Sequence, residues 1–229
     1  MQIVLLPGFE GSPSVWAPTV AGLGGLAVEA PRLLAGDGLP GQARALAAAL
    51  GPGPKLIAGA SYGGLLGWAL ADLVQDDVRG LILIGSLDRP GAAPRWMGPA
   101  GRVIGALADG PRAALGGAWR ARLRRSLGED CGDPALIAQI VAEADGWAAL
   151  PSRLGAIQAW GLSARPACPT LCLAGQGSGA PVAGADAGLA GVERRRLPGG
   201  PRPHLRGPAG LAPLLRAAVE ALRCGSRPW

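Results

Sequence analysis

The chain has 229 residues, 49% of them apolar, which is enough for one domain with a substantial buried core and excludes a disordered class. Its formal net charge of +6 comes from arginine, Lys55 being the single lysine, and this reads as coding composition, so no nucleic-acid partner is expected. The four cysteines show no zinc-binding spacing, Cys168 and Cys172 having no second pair, and no apolar run approaches the roughly 20 residues that span a bilayer, so neither a metal site nor a membrane span is expected.

In chain order, Gln2–Leu6 is a first strand, and no signal-peptide pattern follows Met1, which points to a cytoplasmic protein. Ser12-Pro13 supplies an N-cap and a first-turn proline for a helix carrying Trp16, Val20 and Leu23. Leu26–Glu29 predicts a second strand, Gly41–Leu50 a short helix and Lys55–Gly59 a third strand. A helix over Gly63–Val74 places Leu66, Ala69, Leu70 and Leu73 on one face, and Arg79–Ser86 is an apolar central strand. From residue 89 to about residue 165 the strand rhythm stops, helical patterns such as Pro134–Ala144 take over, and four of the seven tryptophans fall here: Trp96, Trp119, Trp147 and Trp160. Pro169–Gly175 and Val192–Leu197 resume the strands, and a last helix with Leu211, Leu215, Ala218 and Leu222 on one face closes at Gly225. Strands alternating with helices predict an α/β fold, a mostly parallel central sheet flanked by helices.

The most informative stretch is Gly59-Ala60-Ser61-Tyr62-Gly63, lying between a strand and a helix. This G-x-S-x-G turn pushes its serine into a strained backbone conformation, and side chains two positions to either side would collide, which is why glycines flank it. The hydroxyl then stands at the carboxyl edge of the sheet, where the helix that follows aims its free N–H groups. If Ser61 is a nucleophile, His204, the only histidine, is its base.

The order of parts resembles the α/β-hydrolase superfamily over essentially the whole chain. Four landmarks carry the resemblance: Leu5-Leu6-Pro7-Gly8-Phe9-Glu10-Gly11 after the first strand, the turn at Ser61, the strand Pro169-Thr170-Leu171-Cys172-Leu173-Ala174-Gly175, and Gly199-Gly200-Pro201-Arg202-Pro203-His204 after the last strand. The resemblance implies a hydrolase core over 1–88 and 166–229 with a helical cap insertion over 89–165, beginning at the family's third strand. It also implies a serine hydrolase of carboxylic esters that needs no metal or cofactor: Ser61 as nucleophile, His204 as base, and the backbone N–H groups of Phe9 and Tyr62 as the oxyanion hole. Dehalogenases are disfavoured because their nucleophile is an aspartate, whereas cofactor-free haloperoxidases share the serine site.

One departure bears on the third catalytic group. Where the family places an aspartate to orient the histidine, this chain has Ser178, which carries no charge to stabilise an imidazolium. Asp88, just past the strand that follows the Ser61 helix, keeps the chain order nucleophile, acid, histidine, although Asp88-Arg89-Pro90 is also a good turn sequence. Asp186 is the weaker candidate. Trp16 and Trp96 are the candidate substrate-binding side chains, for a small-molecule ester with a short-to-medium apolar acyl group, and the cap tryptophans serve equally well as the cap's own core. Arg120, Arg122, Arg124 and Arg125 form either a solvated helix face or a dock for an acidic acyl carrier protein, as in a thioesterase. A third reading is a non-catalytic binding protein that retains the fold, with Ser178 a sign of decay.

Overall fold

The computed structural model describes residues 1–33, 38–87, 95–159, 166–175, 192–197, 202–206 and 210–229. Six strands, β1 (Gln2–Leu6), β2 (Ala27–Glu29), β3 (Lys55–Ala60), β4 (Val78–Ile84), β5 (Thr170–Gly175) and β6 (Val192–Leu197), form one sheet in the order β2-β1-β3-β4-β5-β6. Every neighbouring pair is parallel. Central strands of a parallel sheet are covered on both faces, and β3 is buried at all of its positions. Successive side chains alternate between two cores. Ile3, Leu5, Leu56, Ala58, Ile82, Ile84, Leu171 and Leu173 pack with Trp16 and with Leu215, Ala218 and Val219 of α8 (Ala212–Arg223). Val4, Leu6, Ile57, Leu81, Leu83 and Cys172 pack with α2 (Gly38–Leu50) and α3 (Tyr62–Leu73).

Local chemistry accounts for the places where elements depart from the sequence reading. Ser12 does cap a helical turn, its Oγ accepting from the Ser14 N–H at 3.2 Å. That turn is a 3-10 segment at Pro13–Trp16, followed by the short α1 (Ala17–Ala21), because Pro18 has no N–H and restricts Ala17. Helix α2 starts at Gly38 instead of Gly41, Pro40 being well tolerated in a first turn. Helix α3 is buried almost all round, and Leu73, expected on its apolar face, is 46% exposed. Gly225 ends α8 as expected, at φ +71°, with the Ser226 N–H donating to the Ala221 carbonyl at 2.9 Å.

Between β4 and β5 lie four described helices: α4 (Met97–Gly105), α5 (Asp109–Gly128), α6 (Pro134–Glu143) and α7 (Gly146–Gln158). Glycines let them approach closely. Gly101 faces Leu154, and the Gly98 N–H donates to Gln158 Oε1 at 2.9 Å, joining α4 to α7. A Cβ on Gly116 would meet Trp147 at 2.8 Å, and one on Gly146 would meet Trp119 at 2.8 Å, so each indole occupies space a glycine leaves. The Trp147 indole N–H donates to the Arg112 carbonyl at 2.8 Å. These two tryptophans are therefore packing residues of the helical segment. Trp160 lies outside the described residues. No described helix is long and apolar enough to cross a membrane.

Candidate active site

Ser61 occupies the sharp turn between β3 and α3 with φ +50° and ψ −116°, the one non-glycine residue at positive φ among the described residues. Such a conformation is strained for an L side chain and persists only where the surroundings impose it. Here glycines do so. A Cβ on Gly59 would collide with the Gly63 carbonyl, one on Gly63 with the carbonyls of Leu6 and Pro7, and one on Gly64 would stand 2.5 Å from Ser86 Oγ. The Ser61 N–H still completes the sheet by donating to the Ile84 carbonyl at 2.8 Å, and its side chain is half-buried and caps nothing.

The contact of Gly63 with Leu6 and Pro7 brings the loop after β1 against the first turn of α3. In that loop the Gly11 N–H donates to the Gly8 carbonyl at 3.0 Å, and the Gly8 N–H donates to Glu10 Oε1 at 2.7 Å. The Phe9 N–H has no partner among the described residues, and neither has the N–H of Tyr62 at the start of α3. The rings of these two residues lie 5.5 Å apart. The Tyr62 hydroxyl donates to Gln42 Oε1 at 3.2 Å, and burial, only partly countered by Arg153 and Gln42, pushes its phenol up to about 12. Burial also raises the carboxyl of Glu10, partly offset by backbone hydrogen bonds and by the charges of Arg202 and Arg153.

His204 sits in a 3-10 turn, Pro203–Leu205, that follows β6. It is 4% exposed, its ring 4.7 Å from that of Trp16, and its carbonyl accepts from Thr19 Oγ1 at 2.9 Å. Burial first and the Arg202 charge second press the imidazole down to about 3, so it is neutral near pH 7. Its Nδ1 is buried and has no partner among the described residues. No hydrogen bond joins Ser61 to the His204 ring, an interaction often loose until substrate binds. Asp88, Asp186 and Ser178 all lie outside the described residues. Trp16 is fully buried against His204, whereas Trp96 is 61% exposed at the start of α4.

Polar contacts made by Arg153, Glu143 and Arg202 tie the helical segment to these loops. Arg153 of α7 donates to the Phe9 carbonyl at 2.6 Å and pairs with Asp145 at 3.2 Å. Glu143 of α6 accepts from Ser12 Oγ at 2.6 Å and Ser14 Oγ at 2.7 Å. Arg202, two residues before His204, donates to Asp130 Oδ2 at 2.9 Å and to the Ser126 carbonyl at 2.8 Å. A cavity of about 610 Å³ opens beside the His204 turn, lined by Leu205 and Arg206 on one side and by Asp130, Cys131 and Leu136 on the other. The sequence does not flag Arg153, Glu143 or Asp130, since single charges on helices and in the turns after them read as solvated. Glu10 had a visible signal, a carboxylate between two glycines of the loop after β1.

The model of a family described as alpha/beta hydrolase fold matches residues 39–128. No curated protein sequence matches the chain. Among solved structures, a thermophilic esterase from Thermogutta terrifontis is 22% identical with a TM-score of 0.67, covering 98% of this chain and 90% of that one. The esterase RhEst1 from Rhodococcus sp. ECU1013 is 19% identical with a TM-score of 0.67, over 97% of this chain and 91% of that one. The RedJ thioesterase of the prodiginine biosynthetic pathway in Streptomyces coelicolor is 22% identical with a TM-score of 0.59, over 90% of this chain and 82% of that one. Likeness at this level of identity speaks to architecture, and it agrees with the parallel sheet and the strand–turn–helix at Ser61: the chain has the α/β-hydrolase fold.

Proposed function

We propose that the protein is a serine hydrolase of carboxylic esters with short-to-medium apolar acyl groups, working through an acyl-enzyme. The observation that carries this reading is the strained Ser61 at the head of α3, beside two backbone N–H groups that have no partner among the described residues. In this reading Ser61 Oγ attacks the ester carbonyl as its proton passes to His204, and the oxyanion is held by the N–H groups of Phe9 and Tyr62. Collapse of the intermediate expels the alcohol, which takes the proton back from His204. Water then attacks the acyl-enzyme with His204 again as base, releasing the acid and restoring Ser61. Oxyanion donors are worth about 2.7–4 kcal/mol each, enough for slow turnover even without a charged third group. The buried Nδ1 of His204, without a partner among the described residues, is the atom a carboxylate would meet, and Asp88 is the residue assigned to it. The helices α4–α7 act as a cap, with Trp96 at its edge and Trp16 behind the imidazole.

The test is labelling by a fluorophosphonate together with turnover of p-nitrophenyl esters of rising chain length. Labelling of the wild type, its loss in Ser61→Ala, and a drop in kcat of at least about 10³-fold are expected. An unlabelled wild type would leave a binding protein. A flat response to chain length would remove the acyl preference. Asp88→Asn should lower kcat at unchanged KM, and an unaffected variant would take that role from Asp88.

A second reading, a thioesterase acting on a carrier-bound acyl group, is favoured by one observation. Arg120, Arg122, Arg124 and Arg125 are all exposed on α5 and make no ion pair or hydrogen bond through their side chains among the described residues. Salt-sensitive turnover of carrier-bound thioester, with salt-insensitive turnover of the free ester, would decide for it.

A further inference from the structure

The guanidinium of Arg153 is wholly buried although its acidic partner is not: Asp145, at 3.2 Å, is 31% exposed. Its Nε is also buried and has no partner among the described residues. Taking such a charge out of water is costly, and an incompletely satisfied ion pair is poor compensation, so fold stability alone does not account for it. What the group does touch is specific. Nη1 donates to the Phe9 carbonyl at 2.6 Å, and the guanidinium carbon lies 5.8 Å from the centroid of the Tyr62 ring. Phe9 and Tyr62 are the two residues assigned to the oxyanion hole, and neither backbone N–H has a partner among the described residues.

The start of α7 holds the same stretch. The Asp145 N–H donates to the Glu10 carbonyl at 3.2 Å, so the carbonyls of Phe9 and Glu10 are both engaged by the helical segment. Gly146 abuts the Phe9 carbonyl so closely that a Cβ there would collide with it, and a Cβ on Gly11 would collide with Asp145 Oδ1. On the other side of Phe9, the Gly8 N–H and carbonyl are both used within the loop. Both peptides flanking Phe9 are therefore fixed, and withdrawing its N–H would require breaking the Arg153 bond or the Gly8 turn.

We infer that Arg153 is a positioning residue for the oxyanion hole, a guanidinium on the cap that fixes the Phe9 peptide and the Tyr62 ring together. The inference rests on the serine-hydrolase reading of the same site. The cap then acts as part of the catalytic scaffold. Lysine would keep the charge but not the planar fork that reaches the carbonyl while lying against the ring.

The experiment compares wild type, Arg153→Lys and Arg153→Met for kcat and KM on p-nitrophenyl butyrate, and for inhibition by a trifluoromethyl ketone, whose serine hemiketal is an anion that needs the hole. Arg153→Met should lower kcat by about 10²-fold, weaken the ketone by a similar factor and leave KM within threefold. Arg153→Lys, which retains a cation and serves if the methionine variant does not fold, should lose at least tenfold in both. A folded Arg153→Lys with kcat and ketone affinity within threefold of wild type overturns the inference while leaving the hydrolase reading intact. A wild type that neither reacts with fluorophosphonate nor binds the ketone overturns both.

Discussion

Ser61 holds its side chain where only glycine rests comfortably, at φ +50°. Strain of this kind is worth about 1–3 kcal/mol, and replacing the residue by glycine would release it, less the roughly 0.5–1 kcal/mol by which glycine favours the unfolded chain. Ser61→Gly should therefore be more stable than Ser61→Ala by about 1 kcal/mol in urea unfolding, with both variants inactive. A Ser61→Gly variant less stable than Ser61→Ala by the glycine cost of roughly 0.5–1 kcal/mol would mean that the turn imposes no strain. The residue-level sequence signal was good here for a physical reason. Gly59 and Gly63 are needed because backbone carbonyls occupy the space of their Cβ atoms, a requirement that writes itself into the sequence as the G-x-S-x-G spacing. Arg153 and Glu143 leave no such trace. Their roles depend on distant partners, Phe9 and Ser12, that are brought near only by the finished fold.

At the scale of elements, strands were easier to read than the joints between helices. Gln2–Leu6 stands where its apolar and β-branched run puts it and Val192–Leu197 has its expected bounds, whereas the helix expected after Ser12 divides before Pro18 into a 3-10 turn and α1. The docking of α6 onto that turn was not legible at all. Glu143 accepts from Ser12, Ser14 and Gln139, and its backbone carbonyl accepts from Arg32 at 2.8 Å. Burial alone would raise the Glu143 carboxyl, but hydrogen bonds from Ser12, Gln139 and Ser14, with the charge of Arg32, outweigh it and hold the carboxyl below its ordinary value. A charged acceptor with this many donors is worth more than a lone surface pair. Glu143→Gln keeps the shape and removes the charge, so it should lower stability by about 1 kcal/mol and speed proteolytic nicking between α6 and α7. Unchanged stability and nicking would mean that α6 is held by its apolar face, Ile140 and Val141, alone.

For the whole molecule, a single histidine makes the pH dependence of folding unusually easy to interpret near neutrality. The imidazole of His204 has an ordinary value of 6.5 and is driven to about 3 in the fold, by burial and then by Arg202. The unfolded chain therefore binds a proton at about pH 6.5 that the native state refuses until about pH 3. The sign follows: His204 leaves stability intact above pH 6.5 and removes it progressively as the pH falls towards 3. Between pH 7.5 and 5.5 the loss should be about 1.4 kcal/mol, one proton over the single pH unit below the ordinary value. Glu10, whose carboxyl is raised by burial, acts in the opposite sense, its contribution being complete below the ordinary carboxylate value and lost as the pH rises through its native one. His204→Gln removes the first effect and leaves the second, so the gap between its urea-unfolding free energy and that of the wild type should change by about 1.4 kcal/mol across that window. A declining wild type would take the Asp88 carboxylate away from Nδ1, and parallel curves for the two proteins would place the imidazole in contact with water or with that carboxylate in solution. In either case the native base would be far more basic than its burial among Trp16, Leu205 and the Thr19 turn implies.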